Sequence, residues 1–194
     1  IAETPNHNAP YFKHTSHCIV GSNTLSLNAI EQAAKAQNYS TYLYSKSLGG
    51  EVNLVAAEWV HFIKQKIAHG LIVSPLAFLA GGETTVTLTG NGLGGRNQQF
   101  ALAFAIEAEK QQLNAHWAFL SGGTDGRDGP TDAAGGLVDT HSISRMKQAG
   151  IEPAHYLANN DSYHALKESQ DLLVTGATGT NVADLQILLI HPNL

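Results

Sequence analysis

Short apolar runs alternate with amphipathic stretches from residue 18 to residue 80, and this order constrains the fold more than any other feature of the sequence. The runs 18–20, 41–44 and 75–80 predict strands, whereas 29–36 and 51–68 place their apolar residues at helical spacing and predict helices. Such an order favours an α/β fold, in which helices cover the faces of a sheet. We therefore expect a three-layer α/β/α domain with a mixed sheet.

The rest of the chain adds further strands and a helix that should be deeply buried. In segment 84–89, Thr alternates with Val and Leu, which predicts a strand with one apolar and one polar face. Residues 96–110 predict a helix whose middle is apolar all round. Strands are also predicted at 117–120 and 185–191, and shorter helices at 142–149 and 162–169.

Composition limits the partners of this chain. The net charge of −5, with scattered Lys and Arg, argues against nucleic-acid binding. No apolar run is long enough to cross a membrane. The single cysteine, Cys18, is expected in the core and suits a reducing, cytoplasmic location.

The chain starts at Ile1 without an initiator Met, so we expect a domain of a longer protein, with 1–15 as a linker or crossing segment and 16–194 as the folded domain.

A loop with four glycines, 90–95, leads into the predicted helix at Arg96. Helix N-termini attract anions, and an Arg at that point adds a fork of donors for a carboxylate or phosphate. Alternatively, the loop is only a turn that needs glycine, with Arg96 on the surface.

The same loop also fits G-x-G-x-x-G, through Gly90, Gly92 and Gly95, which raises a dinucleotide site as a rival. Two features count against this site. The preceding segment alternates instead of being continuously apolar, and no carboxylate lies at 113–121, where the ribose partner is expected.

Two further loops combine glycine with hydroxyl, amide and carboxylate side chains. In segment 122–132, Asp125, Asp128 and Asp132 could gather around Mg²⁺, or could equally serve as turn-building residues. The segment 175–181 could line a polar pocket or cap the chain that follows. There is no P-loop, no H-E-x-x-H and no G-x-S-x-G motif, so the sequence supports neither P-loop chemistry nor a hydrolase triad.

These loops, with their flanking residues, resemble the MOFRL domain of class II glycerate kinases, a family often labelled hydroxypyruvate reductase. The matching blocks, in order, are IVGSN (19–23), GGE (49–51), GGETTV (81–86), GGRNQ (94–98), TDG (124–126), DGPTDAAG (128–135), NNDSY (159–163) and TGTNV (178–182). Gln99 stands where the family commonly has Glu, and Ala177 where it commonly has Pro. The first departure puts an acidic role at position 99 in doubt.

The resemblance implies ATP- and Mg²⁺-dependent phosphorylation of glycerate in a cleft between two α/β domains. The nucleotide loop and an essential lysine belong to an N-terminal domain that this sequence does not contain. Arg96 matches the conserved cleft arginine and is expected to be catalytic, and Asp125 or Asp128 is expected near the metal or the substrate hydroxyls. The residues expected to bind substrate are Glu83, Gly94, Gly95, Arg96, Asn97, Thr124, Asp125, Asp128, Thr131, Asp132, Asn160, Asp161, Thr178, Thr180 and Asn181.

Two other functions remain open from the sequence. One is an NAD(P)H-dependent hydroxypyruvate reductase, which would need the dinucleotide loop described above. The other is a non-catalytic module that binds small sugar acids. In all three cases the expected partner is a small hydroxy acid, with neither nucleic acid nor membrane.

Overall fold

The computed structural model describes residues 3–6 and 8–192; residues 1, 2 and 7 of the predicted linker, and residues 193 and 194, lie outside them. A 3-10 turn spans Pro10–Phe12. The helices are α1 (Asn23–Ala36), α2 (Val52–Ala68), α3 (Arg96–Lys110), α4 (Ser142–Gln148), α5 (Pro153–Ala158) and α6 (Ser162–Glu168). The strands are β1 (Ser40–Leu48), β2 (Leu76–Gly82), β3 (His116–Gly123), β4 (Gly135–Asp139), β5 (Leu172–Leu173) and β6 (Asp184–His191).

The strands form one six-stranded sheet in the order β1-β2-β6-β3-β4-β5. Strands β1 and β2 are parallel, and every other neighbouring pair is antiparallel. Helix α1 packs on one face, against β1 and β2, and the larger helices α2 and α3 cover the opposite face. The prediction of an α/β fold with a mixed sheet is confirmed. Within the described ranges, no helix is both long and apolar enough to cross a membrane.

The main core lies between the sheet and helices α2 and α3. The rings of Phe104 and Phe119 stack with centroids 4.1 Å apart, and Trp59 stacks on Tyr44 at 4.6 Å. Helix α3 also contacts α4, α5 and α6, so it is enclosed by protein on most of its circumference. This enclosure explains why its middle is apolar all round, as the sequence predicted.

The predicted strand at 18–20 is wrong, and so is the placement of Cys18 in the core. These residues pair with none of the described strands, and Cys18 is exposed. Val20 has 91% of its surface exposed. An apolar run becomes a strand only where a neighbouring strand accepts its hydrogen bonds, and here the chain instead leads directly into α1.

The predicted strand at 84–89 is also wrong. Only Thr85 makes a ladder contact, a bridge to Glu51, and Leu88 is 79% exposed. At the end of β2, Gly82 has φ +143, a conformation that favours glycine, and the chain leaves the sheet there. The backbone further on is held by the side chain of Asn160 instead of a strand, as described below.

Replacing Phe119 tests the aromatic core. Its ring is fully buried and contacts the rings of Trp59, Phe100 and Phe104. We expect Phe119→Ala to lower the free energy of unfolding by about 3–5 kcal/mol, because it removes buried contacts and leaves a cavity. Leu54→Ala is the control: Leu54 is 65% exposed, so this variant should change the free energy of unfolding by less than about 1 kcal/mol. Urea unfolding followed by tryptophan fluorescence measures both, and equal losses would contradict this description of the core.

Candidate functional site

A cleft of about 780 Å³ opens at the edge of the sheet where β1, β2 and β3 end and β6 begins. It is lined by residues from segments 83–96 and 125–129, and by Gln99, Asn160 and Asn181. The predicted site residues on its wall are Glu83, Gly94, Gly95, Arg96, Asp125, Asp128, Asn160 and Asn181. Those off the wall are Asn97, Thr124, Thr131, Asp132, Asp161, Thr178 and Thr180.

Arg96 is held in the cleft by a carboxylate that the sequence analysis did not single out. Its Nε donates to Asp184 Oδ2 at 2.5 Å and its Nη2 to Oδ1 at 3.0 Å. The Asp184 side chain is only 2% exposed, whereas that of Arg96 is 38% exposed. These hydrogen bonds raise the pKa of Arg96 above its ordinary value, although burial opposes the rise. Arg96 is therefore a fixed cation with one edge toward the protein interior and the other toward the cleft.

Glu83 completes the set of groups around this guanidinium. Its Oε1 lies 3.3 Å from Arg96 Nη2, and its side chain is 55% exposed. Among the described residues, none accepts a hydrogen bond from Nη1 of Arg96. The outward edge of Arg96 thus presents one nitrogen shared with Glu83 and one that is open to a ligand.

Asp184 is positioned by the first residue of α1. The side-chain amide of Asn23 donates to the carbonyls of Val182 and Asp184, both at 2.9 Å. Gly81 must lack a side chain, because a Cβ there would lie 1.8 Å from Asn23 Oδ1. The sequence signal for Asp184 was an acidic residue at the start of a mostly apolar strand.

Asp128 caps the N-terminus of α3. Its Oδ1 accepts hydrogen bonds from the backbone and side-chain nitrogens of Asn97, and its Oδ2 accepts from those of Gln98. Burial raises the pKa of Asp128, and these hydrogen bonds counteract the rise. Gly95 makes the approach possible, since a Cβ there would lie 2.3 Å from the carboxylate carbon. The expectation that this helix N-terminus attracts an external anion is therefore wrong, because the protein's own carboxylate occupies it.

Two residues predicted to bind substrate lie in a buried polar layer beneath the cleft. Asn97 accepts a hydrogen bond from Ser121 Oγ at 2.6 Å and donates to Asp128. Thr131 donates to the Asp128 carbonyl and accepts from Gln98 Nε2. Since these groups bond to one another and are buried, Asn97 and Thr131 support the helix start from inside.

Asn160 and Asp161 organise the glycine loop. Asn160 Oδ1 accepts from the backbone nitrogens of Thr89 and Gly90, at 2.7 and 2.9 Å. Its amide donates to the Thr87 carbonyl and to Gln99 Oε1. Asp161 Oδ1 accepts from the Leu93 nitrogen at 3.0 Å. These side chains replace the backbone pairing that a strand at 84–89 would have provided.

The two remaining loops brace each other beside the cleft. Thr124 Oγ1 accepts from the Val182 nitrogen and donates to the Ala183 carbonyl. Thr178 donates to the Thr124 carbonyl and accepts from the Thr180 nitrogen.

Across the junction of these loops, Asn181 Nδ2 reaches Asp125 Oδ2 at 3.4 Å, while Asp125 Oδ1 accepts from the Arg127 nitrogen. Arg127, which the sequence analysis did not assign to the site, is exposed and adds a second cation to the wall. Asp132 lies further out and accepts from the hydroxyl of Tyr163.

Asp125 and Asp128, the two aspartates expected near Mg²⁺, differ in how many hydrogen bonds their oxygens already accept. Across segments 3–6 and 8–192, no three or more His, Cys, Asp or Glu residues are grouped so that they could hold a metal ion. Each oxygen of Asp128 already accepts two hydrogen bonds, so neither has a lone pair to offer a metal.

Comparison with known proteins identifies the family. The model of the MOFRL family matches residues 76–184, which is more than half of the chain and includes every residue of the cleft wall. This chain belongs to the MOFRL family. The resemblance seen in the sequence motifs is confirmed.

The relatives of this MOFRL domain include glycerate kinases from distant organisms. The chain is 40% identical over 191 residues to the D-glycerate 2-kinase of Thermotoga maritima, covering 98% of this chain and 44% of that protein. It is 34% identical to human glycerate kinase, covering 92% of this chain and 42% of that protein. The chain therefore spans less than half the length of these two relatives.

Two crystal structures share the fold. The Thermotoga maritima glycerate kinase superposes with a TM-score of 0.79 at 42% identity, over 88% of this chain and 41% of that one. A Pyrococcus horikoshii protein superposes with a TM-score of 0.81 at 34% identity, over 93% of this chain and 41% of that one.

Replacing Asp128 tests its capping role. We expect Asp128→Ala to lower the free energy of unfolding by at least about 3 kcal/mol, because it leaves several buried N–H donors without an acceptor. Asp132→Ala, in the same loop, loses one exposed hydrogen bond from Tyr163 and should cost about 1 kcal/mol or less. Urea unfolding measures the free energy of unfolding of both variants. A small loss of stability in Asp128→Ala would show that the cap is dispensable.

Proposed function

We propose that this chain is the C-terminal domain of an ATP-dependent glycerate kinase, and that its cleft supplies the substrate-binding loops of an interdomain active site. The observation that carries the proposal is Arg96, held by buried Asp184 with its outer edge in the cleft, in a chain whose relatives are glycerate kinases. Membership of the family adds support, because the family model covers the whole cleft wall.

The chemistry of the cleft suits a small hydroxy acid. A guanidinium presents parallel N–H donors that fit a carboxylate or a phosphoryl group, and Arg96 cannot turn away because Asp184 holds its inner edge. Such a preformed cation stabilises charge that moves during phosphoryl transfer without a further reorganisation cost. Asp125 and Asn181, on the same wall, offer polar groups for the substrate hydroxyls.

The proposal assigns ATP, Mg²⁺ and the nucleotide loop chiefly to an N-terminal domain. Three observations support this division: the chain spans less than half of the relatives named above, its described residues contain no group of three or more His, Cys, Asp or Glu that could hold a metal, and its sequence has no P-loop. We further propose that the whole protein works in the cytoplasm, in keeping with the single, unpaired cysteine of this chain.

The geometry does not favour the reductase alternative. A dinucleotide bound at a glycine-rich loop places its pyrophosphate at the N-terminus of the following helix. In this chain Asp128 fills that position, and no strand runs directly into the loop. A module that binds sugar acids without turnover would use the same cleft, so kinetics must separate it from a kinase.

The first experiment measures ADP release by the full-length protein with D-glycerate, Mg²⁺ and ATP, with this chain alone in parallel. We expect turnover by the full-length protein and none by the chain, because the nucleotide site lies in the other domain. Glycerate binding without ADP release would favour the non-catalytic module. Full activity in the chain alone would contradict a divided active site.

Replacing Arg96 tests its role in turnover. In the full-length protein we expect Arg96→Ala to lower kcat/KM for glycerate by about 10²–10³-fold, the usual cost of removing a preformed charge-stabilising donor. Arg96→Lys keeps the charge beside Asp184 but loses the fork of donors, so it should recover little of the activity. Lys147→Ala removes a positive charge from α4, outside the cleft, and serves as the control. Wild-type kcat/KM in Arg96→Lys would contradict the forked contact.

A further inference from the structure

The cleft wall, taken together with Asp184 behind Arg96, contains four carboxylates, and three of them already accept hydrogen bonds at both oxygens. Asp184 binds Arg96, and Asp128 binds the start of α3. Asp125 accepts from the Arg127 nitrogen at one oxygen and from Asn181 at the other. Glu83 is the remaining one: its contact in the described structure is the ion pair with Arg96.

The main chain around Glu83 is fixed, although its side chain is exposed. On one side, Gly82 packs so closely on the end of β1 that a Cβ there would lie 2.2 Å from the Leu48 carbonyl oxygen. On the other side, the Thr85 nitrogen donates to the Gly50 carbonyl at 2.8 Å, and the Thr85 carbonyl accepts from the Val52 nitrogen at 2.9 Å. Glu83 therefore projects from an anchored turn, and only its own side chain has freedom to adjust to a ligand.

Glu83 and Arg96 lie close enough together to contact the same small ligand. An anion bound at the outer edge of Arg96 lies beside the Glu83 carboxylate, since the two side chains are 3.3 Å apart. A hydroxyl one or two carbons from that anion is then within reach of Glu83. Glu51, whose backbone pairs with Thr85, is not on the cleft wall, and its Oε2 caps α2 by accepting from the nitrogens of Asn53 and Leu54.

We propose that Glu83 is the general base of the reaction, which rests on the function proposed above. The hydroxyl oxygen of the acid forms a bond to the γ-phosphorus of ATP. The bond from that phosphorus to the β–γ bridging oxygen breaks, and its electron pair leaves with ADP. The hydroxyl proton passes to a carboxylate oxygen of Glu83, as carboxylates accept it in other phosphoryl transfers to alcohols. Glu83 is thus a catalytic residue as well as a contact for Arg96.

The test separates proton transfer from binding in the full-length protein. For Glu83→Gln we expect kcat to fall by about 10²–10⁴-fold, with KM for glycerate changed by less than about threefold, because the amide keeps the shape but accepts no proton. For Glu83→Ala we expect added formate or acetate to restore turnover, with acetate, the stronger base, more effective at equal occupancy. Glu58→Gln, on the exposed side of α2 and off the cleft wall, removes the same charge and serves as the matched control.

Other outcomes overturn the assignment. A raised KM with unchanged kcat in Glu83→Gln would give Glu83 a binding role only, and no rescue of Glu83→Ala by either carboxylate would exclude proton transfer through this position. A loss of kcat in Asp125→Asn but not in Glu83→Gln would move the base to Asp125. If the wild-type protein releases no ADP with glycerate, the proposed function fails, and this inference fails with it. Turnover by wild type together with an active Glu83→Gln variant removes this inference alone.

Discussion

Helix α3 is enclosed by the sheet and by other helices, so the N–H groups of its first turn have little access to water. The carboxylate of Asp128 satisfies them, and it also accepts the side-chain amides of Asn97 and Gln98. This one cap joins the loop between β3 and β4 to the start of the most buried helix. Since Arg96 is the first residue of that helix, the cap also fixes the backbone from which the Arg96 side chain extends into the cleft.

Two buried carboxylates therefore position one exposed arginine. Asp128 holds the backbone that follows Arg96, and Asp184 holds the guanidinium itself. Burying a carboxylate is costly unless it is hydrogen-bonded, and both Asp128 and Asp184 accept hydrogen bonds at each oxygen. The arrangement is thus rigid, and rigidity suits a cation that has to meet a ligand without reorganising. The close approach depends on Gly95 and Gly81, which leave room for Asp128 and Asn23.

The three polar loops have similar compositions, but their side chains have different roles. All three are rich in glycine and in Asp, Asn or Thr, yet most of their side chains bond to neighbouring loops. The side chains of Glu83 and Arg127 and the outer edge of Arg96 remain turned to the cleft in the described structure. This pattern is what the proposed interdomain site would need from this domain, because such a site takes single groups from each side.

The sequence by itself determined the elements whose cause is local. Apolar periodicity located α2, α3 and β6, and the ordered motifs indicated the MOFRL family. It could not show that 18–20 and 84–89 lack strand partners, or that β4 and β5 pair at the edge of the sheet, because pairing depends on segments distant in the chain. Nor could it separate Asp128, Asn97 and Thr131, which support the helix start, from Glu83 and Arg96, which face the cleft. Both groups carry the same kinds of polar atoms, and only the tertiary structure decides which of those atoms find a partner inside the protein and which are left for a ligand.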